Sequence, residues 1–216
     1  MKKVFIAIDT TDLRKAKRIV AQSQTKKIEI GYKFGLEFMN SKRGRNFVSK
    51  LRNKKIFVDL KLNDTVNTMV SAVKALNDLR IDYLTVHISS GLTALKAVKK
   101  VSRCKIIGVS TLTSLNNKDL KTIGYNRSVK SLVAHQAKLA KKAGLDALVC
   151  SPHEVNIVRK IFKKEIITPG VQIGKKNYDQ KRSMEAKKVN SDWLVIGRSI
   201  TSGNIKNNIQ KLIKSL

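Results

Sequence analysis

Eight short apolar runs, each followed by an amphipathic stretch, constrain this chain more than any other feature. The runs are residues 4–8 (VFIAI), 28–33, 56–60 (IFVDL), 83–87 (YLTVH), 105–109 (KIIGV), 146–150 (DALVC), 166–168 and 193–196 (WLVI). Runs that are apolar at successive positions suit strands covered on both faces, as in a parallel sheet packed under helices. The intervening stretches predict helices at about 12–22, 43–53, 65–79, 91–101, 130–143, 153–162, 180–189 and 204–215. Within 129–140, Val129, Leu132, Val133, Gln136, Ala137 and Ala140 recur at helical spacing. All but Gln136 are apolar, as one buried helix face requires. Eight β/α units in 216 residues match the α/β class, with a (β/α)8 TIM barrel as the architecture and one domain spanning 1–216. The runner-up is an open doubly wound sheet. Its Rossmann form is weak, because no GxGxxG follows the first strand.

Composition narrows the functional class. Hydrophobic residues make up 42%, with two prolines and no linker-like stretch. No apolar run approaches the length of a membrane span. The opening "MKKVFIAIDTTD" resembles a signal peptide briefly, but Asp9 and Asp12 end the apolar stretch, so it reads as a first strand. Cys104 and Cys150 do not suggest a disulfide framework, which makes a reducing cytoplasm the expected location. The 45 basic and 15 acidic residues give a net charge of +30. Lysine pairs are scattered along the chain and aromatics are only 5%, so a lysine-rich solvated surface is favoured over a nucleic-acid platform. Such a field draws in small anionic substrates.

A barrel places catalytic groups at the C-terminal strand ends and phosphate after the last two strands. Asp9 ends strand one, Lys33 follows strand two, and Asp59 and Lys61 close strand three. Side-chain alternation puts 59 and 61 on one face, aimed at the mouth. Asp64 lies just beyond, as a fourth charge of the array or as the cap of the next helix. His87 and His153 read as a packed histidine and a helix-start residue. No cluster has zinc-ligand spacing. After strand seven comes "TPGVQIG" and after strand eight "VIGRS". Gly170, Gly174 and Gly197 allow close backbone approach, and Arg198 offers a fork matched to phosphate oxygens.

"DLKLNDTVNT" resembles the D-x-K-x-x-D signature of the orotidine 5′-phosphate decarboxylase family. The resemblance spans nearly the whole chain through "AIDTTD", "KFGLEF", "VHISSG", "STLTS", "GLDALVCSPHE", "TPGVQ" and "LVIGRSIT". It implies a decarboxylase without metal or other cofactor, acting on orotidine monophosphate as a homodimer. It implies Lys33, Asp59, Lys61 and Asp64 as the charged array, with Asp64 and Thr68 reaching the partner's site. It further implies Asp9 and Lys33 at the ribose hydroxyls, Thr113 at the pyrimidine, Pro169 beside the base, and Gly197 and Arg198 at the phosphate. In the loop 171–182 the resemblance implies a gating glutamine at Gln172 or Gln180, with Gln172 favoured. Thr65 stands where the family usually has isoleucine. Glu29, in "IEIG", raises the alternative of sugar-phosphate relatives that carry a glutamate in a similar context.

The implied reaction leaves negative charge on a ring carbon with no obvious electron sink. Lys61 suits both tasks this sets, offsetting the charge as an ammonium and then delivering a proton. Repulsion between Asp59 and the departing carboxylate ranks second to that electrostatic role. Two rivals stand beside this reading: a magnesium-dependent sugar-phosphate decarboxylase or aldolase of the same superfamily, and a basic nucleic-acid-binding protein.

Overall fold

The chain is described here from a computed structural model, over residues 2–173 and 184–216. Among the described residues, ten strands run β1 (Lys3–Ile8), β2 (Glu29–Gly35), β3 (Lys55–Leu62), β4 (Tyr83–His87), β5 (Lys105–Val109), β6 (Ala147–Val149), β7 (Glu165–Thr168), β8 (Val171–Gln172), β9 (Met184–Glu185) and β10 (Trp193–Ile196). Eight of them close a parallel barrel in the order β1-β10-β7-β6-β5-β4-β3-β2. This is the expected barrel, and the open doubly wound sheet is thereby excluded.

The helices between strands are α1 (Leu13–Gln22), α2 (Leu36–Met39), α3 (Gly44–Lys50), α4 (Val66–Ala75), α5 (Gly91–Val101), α6 (Asn117–Thr122), α7 (Val129–Ala143), α8 (Val155–Ile161), α9 (Arg198–Thr201) and α10 (Ile205–Ser215). Among the described residues, no helix is long and apolar enough to cross a membrane. Asp12 caps α1 by accepting from the Arg14 and Lys15 amides, and Gly144 ends α7 in the left-handed conformation at φ 74°.

One expected helix is corrected. Of the span 180–189, residues 184–185 form strand β9 and Ala186–Lys188 a single 3₁₀ turn, while 180–183 fall outside the described residues. Strand pairing overrides the helical pattern there: β9 lies parallel to β8, and the Met184 amide donates to Gly170 O at 3.1 Å.

Period-two alternation sorts the strand side chains into two cores. Val4, Ile6 and Ile8 face the helices, while Phe5 and Ala7 join Phe57, Tyr83, Ile107, Ala147, Ile167, Trp193 and Val195 inside the barrel. Apolar residues on both faces explain the unbroken runs. The aromatics plug the barrel's lower half: Phe5 stacks on Trp193 at 4.1 Å and meets Phe57 and Tyr83 edge-on at 5.1 and 5.4 Å. The plug needs Gly31, because a Cβ there would lie 2.5 Å from Phe5 Cε1.

A repeated aspartate closes the lower rim. Asp82, Asp146 and Asp192 each precede a strand, and each carboxylate accepts the amide of an isoleucine that opens the core of a neighbouring strand. The distances are 2.7 Å from Ile56, 2.8 Å from Ile106 and 2.7 Å from Ile166. Each aspartate also meets a cation, Lys55, Lys99 or Arg159. The lower face is thus built for stability, leaving the upper face for chemistry.

Candidate active site

The upper mouth opens a cavity of about 360 Å³. Its floor is apolar, formed by Ala7, Phe57, Val109, Val149 and Val195. Ala7, Val109, Val149 and Val195 are the topmost inward positions of their strands, while Phe57, one inward step below Asp59, joins this floor to the aromatic plug.

One wall is a chain of alternating charge. Asp9 stands just past β1, Lys33 on β2, and Asp59 and Lys61 on β3. Lys33 Nζ lies 3.4 Å from Asp9 Oδ1 and 3.4 Å from Asp59 Oδ2, and Lys61 Nζ lies 2.8 Å from Asp59 Oδ2. Asp59 is the hub. Its buried carboxylate meets both ammonium groups through Oδ2 and accepts the Thr85 hydroxyl through Oδ1 at 2.9 Å. Burial alone raises the Asp59 pKa. The charges of Lys33 and Lys61, with the hydrogen bonds from Lys61 and Thr85, outweigh it and hold this carboxyl below the ordinary range. The Lys61 side chain remains one-third exposed, so its ammonium meets both Asp59 and the cavity.

Asp59 and Lys61 do line one cavity, as alternation along a strand suggests, but the strand between them is not regular. The β3–β4 ladder breaks between Val58 and Leu62, and Lys61 adopts a left-handed backbone at φ 50°. For a non-glycine residue that conformation costs on the order of 1–2 kcal/mol. It re-aims the lysine, as bulges beside active sites commonly do.

Past Asp9 the wall continues into the last strands, with Gly197, Arg198 and Ser199 after β10 and Pro169, Gly170, Val171 and Gln172 after β7. Gly170 sits at φ 74°, a turn that favours glycine. Thr111, Leu112 and Thr113 overhang from β5. Buried Gln136 explains the one polar position on the apolar face of α7: its Oε1 accepts from Thr111 N at 2.8 Å and from Thr111 Oγ1 at 3.1 Å.

Thus Asp9, Lys33, Asp59, Lys61, Thr113, Pro169, Gln172, Gly197 and Arg198 come together around one cavity. Asp64 and Thr68 do not line it. Both are exposed beside the start of α4. Asp64 does not act as the side-chain cap of that helix. The cap position is Thr65, and Asp64 Oδ1 accepts the adjacent Thr65 amide at 2.6 Å. Thr65 is also outside the lining, its hydroxyl 3.1 Å from that of Thr68. Glu29 lies at the opposite barrel end, 3.8 Å from Lys3, so Lys33 is the β2 residue at the mouth. His153 is exposed in the turn before α8. His87 is half-buried at the end of β4, its pKa pushed down by burial and by the Lys61 charge, with Asp59 opposing. Gly174 and Gln180 lie outside the described residues.

The sequence reading missed Thr85, Thr111 and Cys150. Thr85 touches two of the charged residues from behind, and the other two line the cavity. A hydroxyl or thiol within an apolar run carries no charge signal, and only the strand register shows what it reaches.

Fold and mouth together define a (β/α)8-barrel enzyme whose site sets alternating charges above an apolar floor. The chain belongs to the Orotidine 5′-phosphate decarboxylase / HUMPS family, whose model matches residues 2–211. It is 41% identical to the orotidine 5′-phosphate decarboxylase of Wolbachia sp. subsp. Brugia malayi, with all of both chains covered. Against the enzyme of that name from Carboxydothermus hydrogenoformans it is 35% identical, covering 94% of this chain and 90% of the other. The crystal structure of orotidine 5′-phosphate decarboxylase from Lactobacillus acidophilus superposes with a TM-score of 0.83 at 28% identity, covering 99% and 98% of the two chains. The chain is accordingly an enzyme of the carboxy-lyase class.

Proposed function

We propose that this carboxy-lyase converts orotidine 5′-monophosphate to UMP in pyrimidine biosynthesis, without a metal, using Lys61 as the proton donor. The observation that carries the mechanism is the Asp9–Lys33–Asp59–Lys61 array, with the Lys61 ammonium facing both Asp59 and the cavity. The carbon–carboxylate bond breaks and its electron pair stays on the ring carbon. The Lys61 ammonium, held in place before reaction, offsets that charge at little reorganisation cost. A proton then passes from Lys61 Nζ to the carbon, carbon dioxide leaves, and solvent restores the ammonium.

The remaining residues bind and position. Asp9 and Lys33 hold the ribose hydroxyls, Thr113 and Pro169 the pyrimidine, and Gly197 and Arg198 the phosphate. Gln172 closes over the phosphate. Binding energy from that remote group drives closure and desolvation at the ring. Asp64 and Thr68, exposed rather than committed to their own cavity, are the groups offered to a second subunit in a homodimer.

The sugar-phosphate reading loses its main support because Glu29 sits at the far end of the barrel, paired with Lys3. The test is loss of orotidine monophosphate absorbance with and without EDTA. Equal turnover in both supports the proposal. Turnover abolished by chelator, or none at all, rejects it.

A further inference from the structure

The bulge at Lys61 has a single residue facing it. Val58 pairs with Leu84 and Leu62 with Val86, so Asp59, Leu60 and Lys61 stand opposite Thr85 alone. Thr85 is fully buried on β4 and absent from the cavity wall, so it cannot touch a substrate. Its hydroxyl does two things at once. It donates to Asp59 Oδ1 at 2.9 Å and accepts the Lys61 amide at 2.9 Å.

We propose that Thr85 is a positioning residue for the decarboxylation, its hydroxyl joining the Asp59 carboxylate to the Lys61 main chain and so fixing the bulge that returns Lys61 Nζ to Asp59. This deepens the decarboxylase reading and rests on it. A left-handed lysine persists only where its surroundings over-determine it. Here the amide of that residue has lost its ladder partner, and the Thr85 oxygen replaces it. The same oxygen orients the carboxylate whose other oxygen receives both lysines. A valine at 85 would preserve the β-branched shape and remove both hydrogen bonds. The Lys61 amide and Asp59 Oδ1 would then each lack a partner in a buried setting, and the bulge would relax.

The experiment compares Thr85→Val with Thr85→Ser. A positioning error of about an ångström costs on the order of 100-fold, so Thr85→Val should lower kcat by roughly 10- to 100-fold. KM and UMP affinity should stay near wild type, because the phosphate wall is untouched. Thr85→Ser, which keeps the hydroxyl, should recover most of kcat. A ¹³C titration of the Asp59 carboxyl should move upward in the valine variant and return in the serine variant. Wild-type kcat together with an unmoved Asp59 titration in Thr85→Val overturns the proposal. Equal losses in both variants, tracking the melting temperature, also overturn it by reducing Thr85 to packing. Should Thr85→Val fail to fold, Thr85→Ala against Thr85→Ser gives the same comparison. The wild-type assay keeps the two ideas apart: no turnover rejects the decarboxylase reading, while the Asp59 titrations still decide the Thr85 link.

Discussion

Lys61 Nζ reaches Asp59 Oδ2 at 2.8 Å across a break in the sheet, not along a regular strand. The two residues are separated by one position, and a left-handed backbone at the lysine brings them together. Lys33 approaches the same oxygen from the neighbouring strand at 3.4 Å. One buried carboxylate therefore holds two ammonium groups at the cavity wall, and the behaviour of the site follows from that arrangement.

Removing the ammonium should abolish chemistry and spare binding. Lys61→Ala is expected to lower kcat by roughly 10³-fold or more, since it removes both the charge stabilisation and the proton donor proposed for it. UMP affinity, measured by calorimetry, should change far less. Turnover near wild type would end the role assigned to Lys61.

Arg198 should act on affinity. Hydrogen bonds to charged groups contribute about 1.5–3 kcal/mol, so Arg198→Ala should raise KM by about 10- to 100-fold. The same loss should appear in UMP binding and be absent for uridine. Equal weakening of both ligands would place Arg198 away from the phosphate.

Asp59 sets an acid limit. Its folded-state pKa lies below the ordinary value of 3.8, so its stabilising contribution is fully present above about pH 3.8. That contribution is lost as pH falls through the depressed folded value. Asp59→Asn should lower stability at neutral pH and flatten the acid arm of a melting-temperature profile. Parallel profiles for variant and wild type would contradict the assignment.

Asp64 is tested by mixing two inactive proteins. If it serves the partner's site, a heterodimer of Lys61→Ala and Asp64→Ala chains holds one intact site. Random exchange between two-fold symmetric dimers should then restore about a quarter of wild-type activity. Mixtures that stay inactive while exchanging subunits would show that Asp64 serves its own chain, and an Asp64→Ala protein active on its own would show that it serves neither site.

The lower rim should govern stability without touching catalysis. Asp146 accepts the Ile106 amide at 2.8 Å and meets Lys99 at 2.8 Å. Asp146→Ala leaves that amide unpaired, at about 1–3 kcal/mol, which for a domain of this size is a fall of several degrees in melting temperature. Well below the transition, kcat and KM should match wild type. A catalytic defect at full folding would refute the division of labour between the two rims.

Much of this protein was legible before any coordinates. Eight apolar runs with helices between them point to a parallel sheet buried on both faces and favour a barrel, and the pairing of β1 with β10 shows the closure. Strand-end position brought Asp9, Lys33, Asp59, Lys61, Gly170, Gly197 and Arg198 to one cavity, and the family resemblance added Thr113, Pro169 and Gln172. The helical pattern misled over 184–188, where a two-residue pairing with Val171–Gln172 and a 3₁₀ turn stand in place of the helix.

The sequence by itself determined which charges meet at the mouth, since strand order and polarity leave the C-terminal ends of β1, β2 and β3 side by side. Only the tertiary structure decided how they meet. A bulge, a left-handed lysine and a buried threonine are properties of register between β3 and β4. Register depends on contacts between residues more than twenty positions apart, which no local pattern records.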